Sequence, residues 1–164
     1  MTLGELDRRG LRAARAVGHT PAAERAVAVF SKTGEHAMSW LAIGLIGAAT
    51  DAPRRSRWLR ATGVVGAAFL LNSAVKLVIR RPRPDLPGYG PLVGTPTGLS
   101  FPSAHTTCSF TGAAQYARLG LPSGPLHLLA VAYAWSRLYL GVHYPSDVVA
   151  GAALGAVFGR VVTS

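Results

Sequence analysis

Acidic side chains are scarce in this chain: seven Asp and Glu stand against 17 Lys and Arg. Charge of either sign is also scarce, at 15% of residues, while apolar residues reach 49%. A soluble domain carries roughly 25% charged residues. The shortage, set beside long apolar runs, argues against a soluble globular domain and for a membrane protein. A single cysteine, Cys108, excludes an internal disulfide and leaves the compartment unread. The N-terminus has no compact apolar core followed by a small-residue cleavage site, so no signal peptide is expected. There is no internal repeat and no sign of a second domain, and 164 residues suffice for one. The net charge of +10 does not gather on one basic face, because the cations sit at the ends of apolar segments. That pattern speaks against a nucleic-acid partner and for anionic lipid surfaces or bound phosphate.

What is present reads as helix after helix. Residues 2–17 form an amphipathic pattern, with Leu3, Leu6, Gly10, Ala14 and Val17 near one stripe and Arg8, Arg12 and Arg15 on another. Such a helix suits a membrane surface. His19-Thr20-Pro21 breaks it, and a second short helical piece runs to about Phe30. Five spanning segments follow: about 35–50, 58–79, 103–119, 126–140 and 146–162. The first is short against the roughly 20 residues that a bilayer core requires. Gly151, Gly155 and Gly159 recur every fourth residue in the last, a spacing that lets helices pack closely in lipid. The expected fold is all-α: residues 1–34 an amphipathic N-terminal segment, and 35–164 a transmembrane helical bundle of about five transmembrane helices.

Three polar groups interrupt the apolar pattern. The first is Lys76 with Arg80, Arg81 and Arg83-Pro84. The second is Pro102-Ser103-Ala104-His105. The third is Ser136-Arg137 through His143 to Asp147. Counting spans places all three on one side of the membrane, where a bundle would bring them to one mouth. An Arg or Asp near the middle of a membrane helix costs about 2.5–3.5 kcal/mol on insertion scales, so ionisable groups there are functional suspects. The chemistry that uses this set is phosphoryl transfer. Arginine forks and a lysine suit phosphate oxygens. Ser103 opens a span, where its hydroxyl and the following backbone N–H groups can face an anion. A neutral imidazole can attack phosphorus while a carboxylate on its other nitrogen fixes the tautomer. A second histidine can protonate the leaving oxygen.

Lys76 with six residues before Arg83-Pro84, then Pro102-Ser103-Ala104-His105, then Ser136-Arg137 with five residues before His143 and three more before Asp147, resembles the three signature motifs of the type 2 phosphatidic acid phosphatase family, in order and spacing. Ala104 stands where many members have Gly. The resemblance implies that His143 is the nucleophile, forming a phosphohistidine, that Asp147 orients it, and that His105 is the general acid. It implies that Lys76, Arg83, Ser103, the Ala104 N–H and Arg137 bind the substrate phosphate, with no metal and no cofactor. The stretch Gly94-Thr95-Pro96 with Leu99 to His105, in so short a chain, is similar to the small actinobacterial members. That implies a polyprenyl-linked phosphate in cell-wall precursor synthesis, with undecaprenyl diphosphate and phosphatidylglycerophosphate as rivals. The expected partners are thus a lipid phosphate substrate and the bilayer.

Each residue alone has a plainer reading. Lys76 and Arg83 could anchor a helix end at the headgroups, and Arg80 and Arg81 are read that way. Asp147 could cap the last helix. His105 could be an interhelical histidine. His19, His36 and His127 are read as structural, and Asp85, Tyr89 and Thr95 are left without a role. The joint occurrence of the set on one side favours the enzyme over a basic membrane scaffold or lipid-binding module. Setting aside the three phosphate-binding cations, eight Lys and Arg fall on the site side against six on the other. By the positive-inside rule this leans towards a cytoplasmic site in the plasma membrane.

Overall fold

The computed structural model describes residues 1–162. Among them there are seven α-helices: α1 (Leu3–Arg15), α2 (Pro21–Thr33), α3 (Met38–Thr50), α4 (Arg55–Ile79), α5 (Ala104–Arg118), α6 (Ser123–Tyr139) and α7 (Pro145–Val161). Short 3-10 turns at Glu35–Ala37 and Ala52–Arg54 lead into α3 and α4. No strand forms among the described residues, only an isolated bridge between Pro82 and Leu99. The five expected spans correspond to α3 through α7, and the N-terminal segment to α1 and α2.

The boundaries follow local chemistry. Thr2 and Glu5 close a reciprocal capping box at the start of α1. Thr20 caps α2, and Pro21 takes its first position, where a missing N–H costs nothing. The expected turn over 120–125 is shorter than read, because Ser123 already opens α6 and leaves Pro125 in its first turn. Gly141 adopts φ +73° and Pro145 begins α7, which makes the tight bend that carries His143.

Helix α5 is the hub, packed against α4, α6 and α7. The glycine stripe of α7 lies on it: a Cβ at Gly151 would come to 2.7 Å from the Ser103 carbonyl oxygen, and one at Gly155 would collide with the Thr107 backbone. Trp40, Trp58, Tyr116 and Tyr133 fill the apolar core between α3, α4, α5 and α6. Polar groups also lie inside: Asn72, Thr106, Thr107, Ser109, Thr111 and Gln115 are fully buried and mostly bonded between helices. Leu45, Ile46, Leu59, Leu70, Leu77, Val131, Trp135 and Val157 face outwards. Polar residues inside and large apolar ones outside is the arrangement that a lipid surround favours. By length and composition α4 with its preceding turn, residues 52–79, is the one described helix able to cross a bilayer unaided. The 13 to 17 residues of the other bundle helices span only about 20–25 Å at 1.5 Å per residue.

The N-terminal helix docks on the bundle. Its buried residues are Asp7, Leu11 and Ala14; of the apolar stripe Leu3, Leu6, Gly10, Ala14 and Val17, Ala14 is buried and Gly10 half-buried, while Leu3, Leu6 and Val17 are exposed. It packs on α6 and α7 through Leu11, Ala14 and Gly10, the last against the Pro145 ring. Arg15 anchors the end of α1, donating to the carbonyls of Tyr139 (2.8 Å) and Gly90 (3.2 Å).

Candidate active site

The three polar groups meet at one end of the bundle. The alternation of α3 to α7 delivers the end of α4, the start of α5, the end of α6 and the start of α7 to the same face, and the 80–103 loop closes over them. That loop is tied by Arg83 N–H to Gly98 C=O, Ser100 N–H to Arg81 C=O, and Leu92 N–H to Leu140 C=O. A cavity of about 150 Å³ opens there. Six of the eight expected site residues line it: Lys76, Arg83, Ala104, His105, Arg137 and His143. Asp147 stands behind His143, fully buried. Ser103 stands behind Ala104, also fully buried, with its Oγ accepting from the Thr106 hydroxyl and its N–H donating to the Asp147 carbonyl. The cavity wall is completed by Glu35, His36, Phe69, Ser73, Pro96 and Thr97. His36, expected to be merely structural, is thus at the cavity. His19 and His127 are as expected: His19 stacks on Tyr139 at 4.1 Å, and His127 bonds to Ser123 within its own helix.

The geometry around His143 fixes its tautomer. Nε2 lies 3.2 Å from an Arg83 Nη1. A guanidinium has no acceptor, so this contact is favourable only when Nε2 carries a lone pair. The ring proton therefore sits on Nδ1, which faces Asp147 Oδ2 at 3.4 Å. That separation is long for a hydrogen bond, and Nδ1 has no closer partner among the described residues. Burial holds the imidazole's pKa well below its ordinary value, and the charges of Arg83, Arg137 and Lys76 push the same way. His143 is thus a neutral imidazole whose Nε2 lone pair faces Arg83, with Lys76 and Arg137 lining the same cavity.

Among the described residues the cations are held by backbone and hydroxyl oxygens, with no carboxylate within ion-pair distance. Lys76 Nζ donates to the carbonyls of Leu99 (3.2 Å) and Ser100 (3.0 Å). Arg83 donates to the carbonyls of Thr97 (2.8 Å) and Val142 (2.7 Å). Arg137 donates to the Ser31 hydroxyl, and its buried Nε has no partner among the described residues. Neutral acceptors orient these groups while leaving their charge uncompensated, which favours an incoming anion. His105 Nε2 donates to the Ser31 carbonyl at 3.0 Å, since a carbonyl can only accept. The chain reaches His105 this closely because residue 34 is glycine: a Cβ there would come to 2.9 Å from the His105 ring. Among the described residues, no three His, Cys, Asp or Glu side chains come together as a metal cage would require.

Sequence reasoning misplaced Arg81. It is no headgroup anchor but turns inwards, with Nη1 donating to Asp147 Oδ1 (2.8 Å) and Ser146 Oγ (2.7 Å) and Nη2 to Asp7 Oδ2 (2.7 Å). Its guanidinium also stacks over the Tyr144 ring at 4.3 Å. Arg80 is exposed, as expected. Sequence reasoning also missed Ser31, which touches both His105 and Arg137 from the end of α2, and Glu35 on the cavity wall. Asp147 does cap α7, accepting the Tyr144 N–H at 2.8 Å. The capping reading and the orienting reading therefore hold together.

Comparison with known proteins agrees with this arrangement. The decaprenylphosphoryl-5-phosphoribose phosphatase of Mycobacterium tuberculosis is 44% identical over 135 residues, 82% of this chain and 75% of that protein. The crystal structure of the transmembrane PAP2 type phosphatidylglycerolphosphate phosphatase from Bacillus subtilis superposes with a TM-score of 0.82, at 27% identity, covering 97% of this chain and 83% of the other. That of Aquifex aeolicus LpxE has the same fold, with a TM-score of 0.82 at 24% identity and 98% of each chain covered. The PAP2 superfamily model matches residues 57–164, so this all-helical chain, with its cation-lined cavity and buried histidine, belongs to the PAP2 superfamily of phosphatases.

Proposed function

We propose that the protein is a multi-pass plasma-membrane phosphatase that removes a phosphomonoester from a polyprenyl-linked substrate of the decaprenylphosphoryl-5-phosphoribose type, in cell-wall precursor synthesis. One observation carries the reading: three cations with no carboxylate ion pair among the described residues line one cavity with a neutral histidine, whose Nε2 faces Arg83. The likeness to the mycobacterial phosphatase supports the substrate class.

Substrate phosphate draws Arg83 away from Nε2 and is gripped by Lys76, Arg83 and Arg137, with the Ala104 N–H and Ser103 at the start of α5 adding donors. Nε2 of His143 attacks phosphorus in line. The P–O bond to the sugar breaks, and its electron pair leaves on oxygen, which takes a proton from His105. Because Nε2–H of His105 is held by the Ser31 carbonyl, the proton transferred is the one on Nδ1 of its imidazolium. The new phosphohistidine keeps Nδ1–H towards Asp147, whose carboxylate steadies the ring's positive charge. Water then attacks phosphorus and gives its proton to His105. The P–N bond breaks, inorganic phosphate leaves, and His143 is neutral again. The net change is one ester and one water converted to one alcohol and one phosphate. The long Nδ1–Oδ2 separation shortens when the imidazolium forms.

The excess of eight basic residues against six on the other side supports a cytoplasmic site. Labelling of a single cysteine in the 85–100 loop by an impermeant reagent in intact cells would refute that placement.

The deciding experiment is phosphate release from a panel of lipid phosphates by the purified protein in detergent. The panel holds a phosphoribosyl polyprenyl phosphate, undecaprenyl diphosphate and phosphatidylglycerophosphate. The phosphoribosyl substrate is expected to give the highest kcat/KM, and His143→Ala is expected to abolish release. Preference for another lipid overturns the substrate, unchanged release by His143→Ala overturns the assigned nucleophile, and no release from any lipid of the panel overturns the enzyme reading in favour of a scaffold.

A further inference from the structure

The N-terminal helix lies outside the region matched by the family model, yet its one buried charge reaches the reaction centre. Asp7 is 2% exposed. It accepts three hydrogen bonds: from Arg81 Nη2 at 2.7 Å, from the Ser146 N–H at 2.9 Å and from the Ser146 hydroxyl at 2.6 Å. Arg81 lies between two carboxylates, one arm of its fork on Asp7 and the other on Asp147 Oδ1. Asp147 in turn presents Oδ2 to His143 Nδ1. Hydrogen bonds thus run from Asp7 through Arg81 to Asp147, whose Oδ2 faces His143 Nδ1 at 3.4 Å, and they tie a helix at the start of the sequence to the carboxylate beside the proposed nucleophile.

Burial makes this more than a surface ion pair. Asp147 is fully buried and Asp7 nearly so, while the Arg81 side chain is 24% exposed. A buried carboxylate is stable only when its lone pairs are filled. Arg81 fills Oδ1 of Asp147 and thereby leaves Oδ2 for the Tyr144 N–H and the imidazole. Without Arg81 the carboxylate would rotate towards Lys76 and the other cations nearby, and His143 would lose its orienting partner. Without Asp7 the Arg81 fork would lose its second anchor and its planar alignment. Asp7 in addition holds the first turn of α7 through Ser146, which fixes the backbone that carries Asp147.

We propose that Arg81 and Asp7 are positioning residues for the proposed reaction, with Arg81 aligning the Asp147 carboxylate on His143 and Asp7 holding Arg81, so that α1 is a working part of the site. The assignment rests on the phosphatase reading given above. It predicts an effect on turnover and none on substrate capture, because neither residue lines the cavity.

The test uses the full-length protein in detergent, assayed for phosphate release from the best substrate of the panel. Asp7→Asn is close in shape to aspartate, and its folding is checked by size-exclusion profile and thermal unfolding. It should lower kcat about tenfold, the lower end of the effect of groups that orient a reacting residue, with KM unchanged. Arg81→Gln should lower kcat by about a hundredfold, again with KM unchanged. Asp7→Asn added to Arg81→Gln should cost little more, because both act through one carboxylate. Arg12→Gln, on the exposed face of the same helix, should behave as wild type. A rise in KM with kcat intact, additive losses in the double variant, or wild-type kcat in a folded Asp7→Asn protein would each overturn the proposal. Retained activity in His143→Ala would instead sink the site reading on which it rests, so the two failures are told apart.

Discussion

Both ends of the bundle are rich in arginine, but the two ends use it in opposite ways. At the end away from the cavity, Arg54 pairs with Asp51 at 2.6 Å and donates to the Leu119 carbonyl, Arg55 donates to the Ala48 carbonyl, and Arg118 to the Arg160 carbonyl. These acceptors are the last carbonyls of α3, α5 and α7, the negative ends of the helix dipoles. The three arginines are exposed to solvent or headgroups, so each charge is answered locally and little depends on it. At the cavity end, Lys76 is 9% exposed and Arg137 4%. They stand beside the first turns of α5 and α7, where the dipole is positive, and with Arg83 they repel one another across a small cavity. The far end spreads its charge for stability. The cavity end stores uncompensated positive charge, and an anion is what relieves it.

The contrast can be broken most sharply at Arg137. Arg137→Met removes one of three crowded cations, and kcat/KM should fall by about 10²–10³-fold, the loss typical of a transition-state charge stabiliser. Its melting temperature should not fall, because an apolar side chain replaces a buried charge that has no carboxylate within ion-pair distance among the described residues. Trp58→Phe tests the other end. Its indole N–H bonds to Asp51 at 3.0 Å and its ring packs against Gly47 and Tyr116. It should lose about 1–2 kcal/mol of stability in denaturant unfolding while kcat per folded molecule stays unchanged. If Arg137→Met destabilises more than Trp58→Phe, the cavity cations are structural and the contrast fails.

The smallest effect is a pH dependence. The folded pKa of His143 lies well below its unfolded value near 6.5, so below that pH the unfolded chain binds a proton that the native protein excludes. Stability therefore rises with pH through that window and falls as pH drops from 7 to 5. The fall in melting temperature should be smaller in His143→Gln. Asp7 works in a lower window. Burial raises its pKa, but the bonds from Ser146 and Arg81 outweigh this and hold it below 3.8. Its contribution is present above that value and is lost only as pH falls through the folded pKa, so it does not confound a series between pH 7 and 5.

The five bundle helices were legible because apolar runs broken by Pro, Gly and charge leave few other readings. Gathering Lys76, Arg83, His105, Arg137 and His143 at one mouth required only the parity of the spans. The orientation of α1 was not legible. The hydrophobicity pattern reads one stripe through Leu3, Leu6, Gly10, Ala14 and Val17, whereas the residues buried against the bundle are Asp7, Leu11 and Ala14. Nothing local marks Asp7 as internal, because the arginine that neutralises it lies 74 positions away. Arg81 was misread for the same reason: beside Arg80 at the end of a long helix, it has the appearance of any other membrane-edge cation. Ser31 carries no chemical signal of its own, and only the close approach permitted at Gly34 brings it beneath His105.

The contact between Asp7 and Ser146 joins residues 139 positions apart, and it bears on how the enzyme is born. A ribosome delivers α1 first and α7 last. Closing so long a loop carries an entropic cost that grows with its length, so this contact belongs late in assembly. Until the last helix arrives, Asp7 lacks its helix terminus and Asp147 is not yet in place. In the proposed site, the alignment that Asp7 gives to Asp147 is therefore acquired only once α7 has packed against α1, after the rest of the bundle is in place.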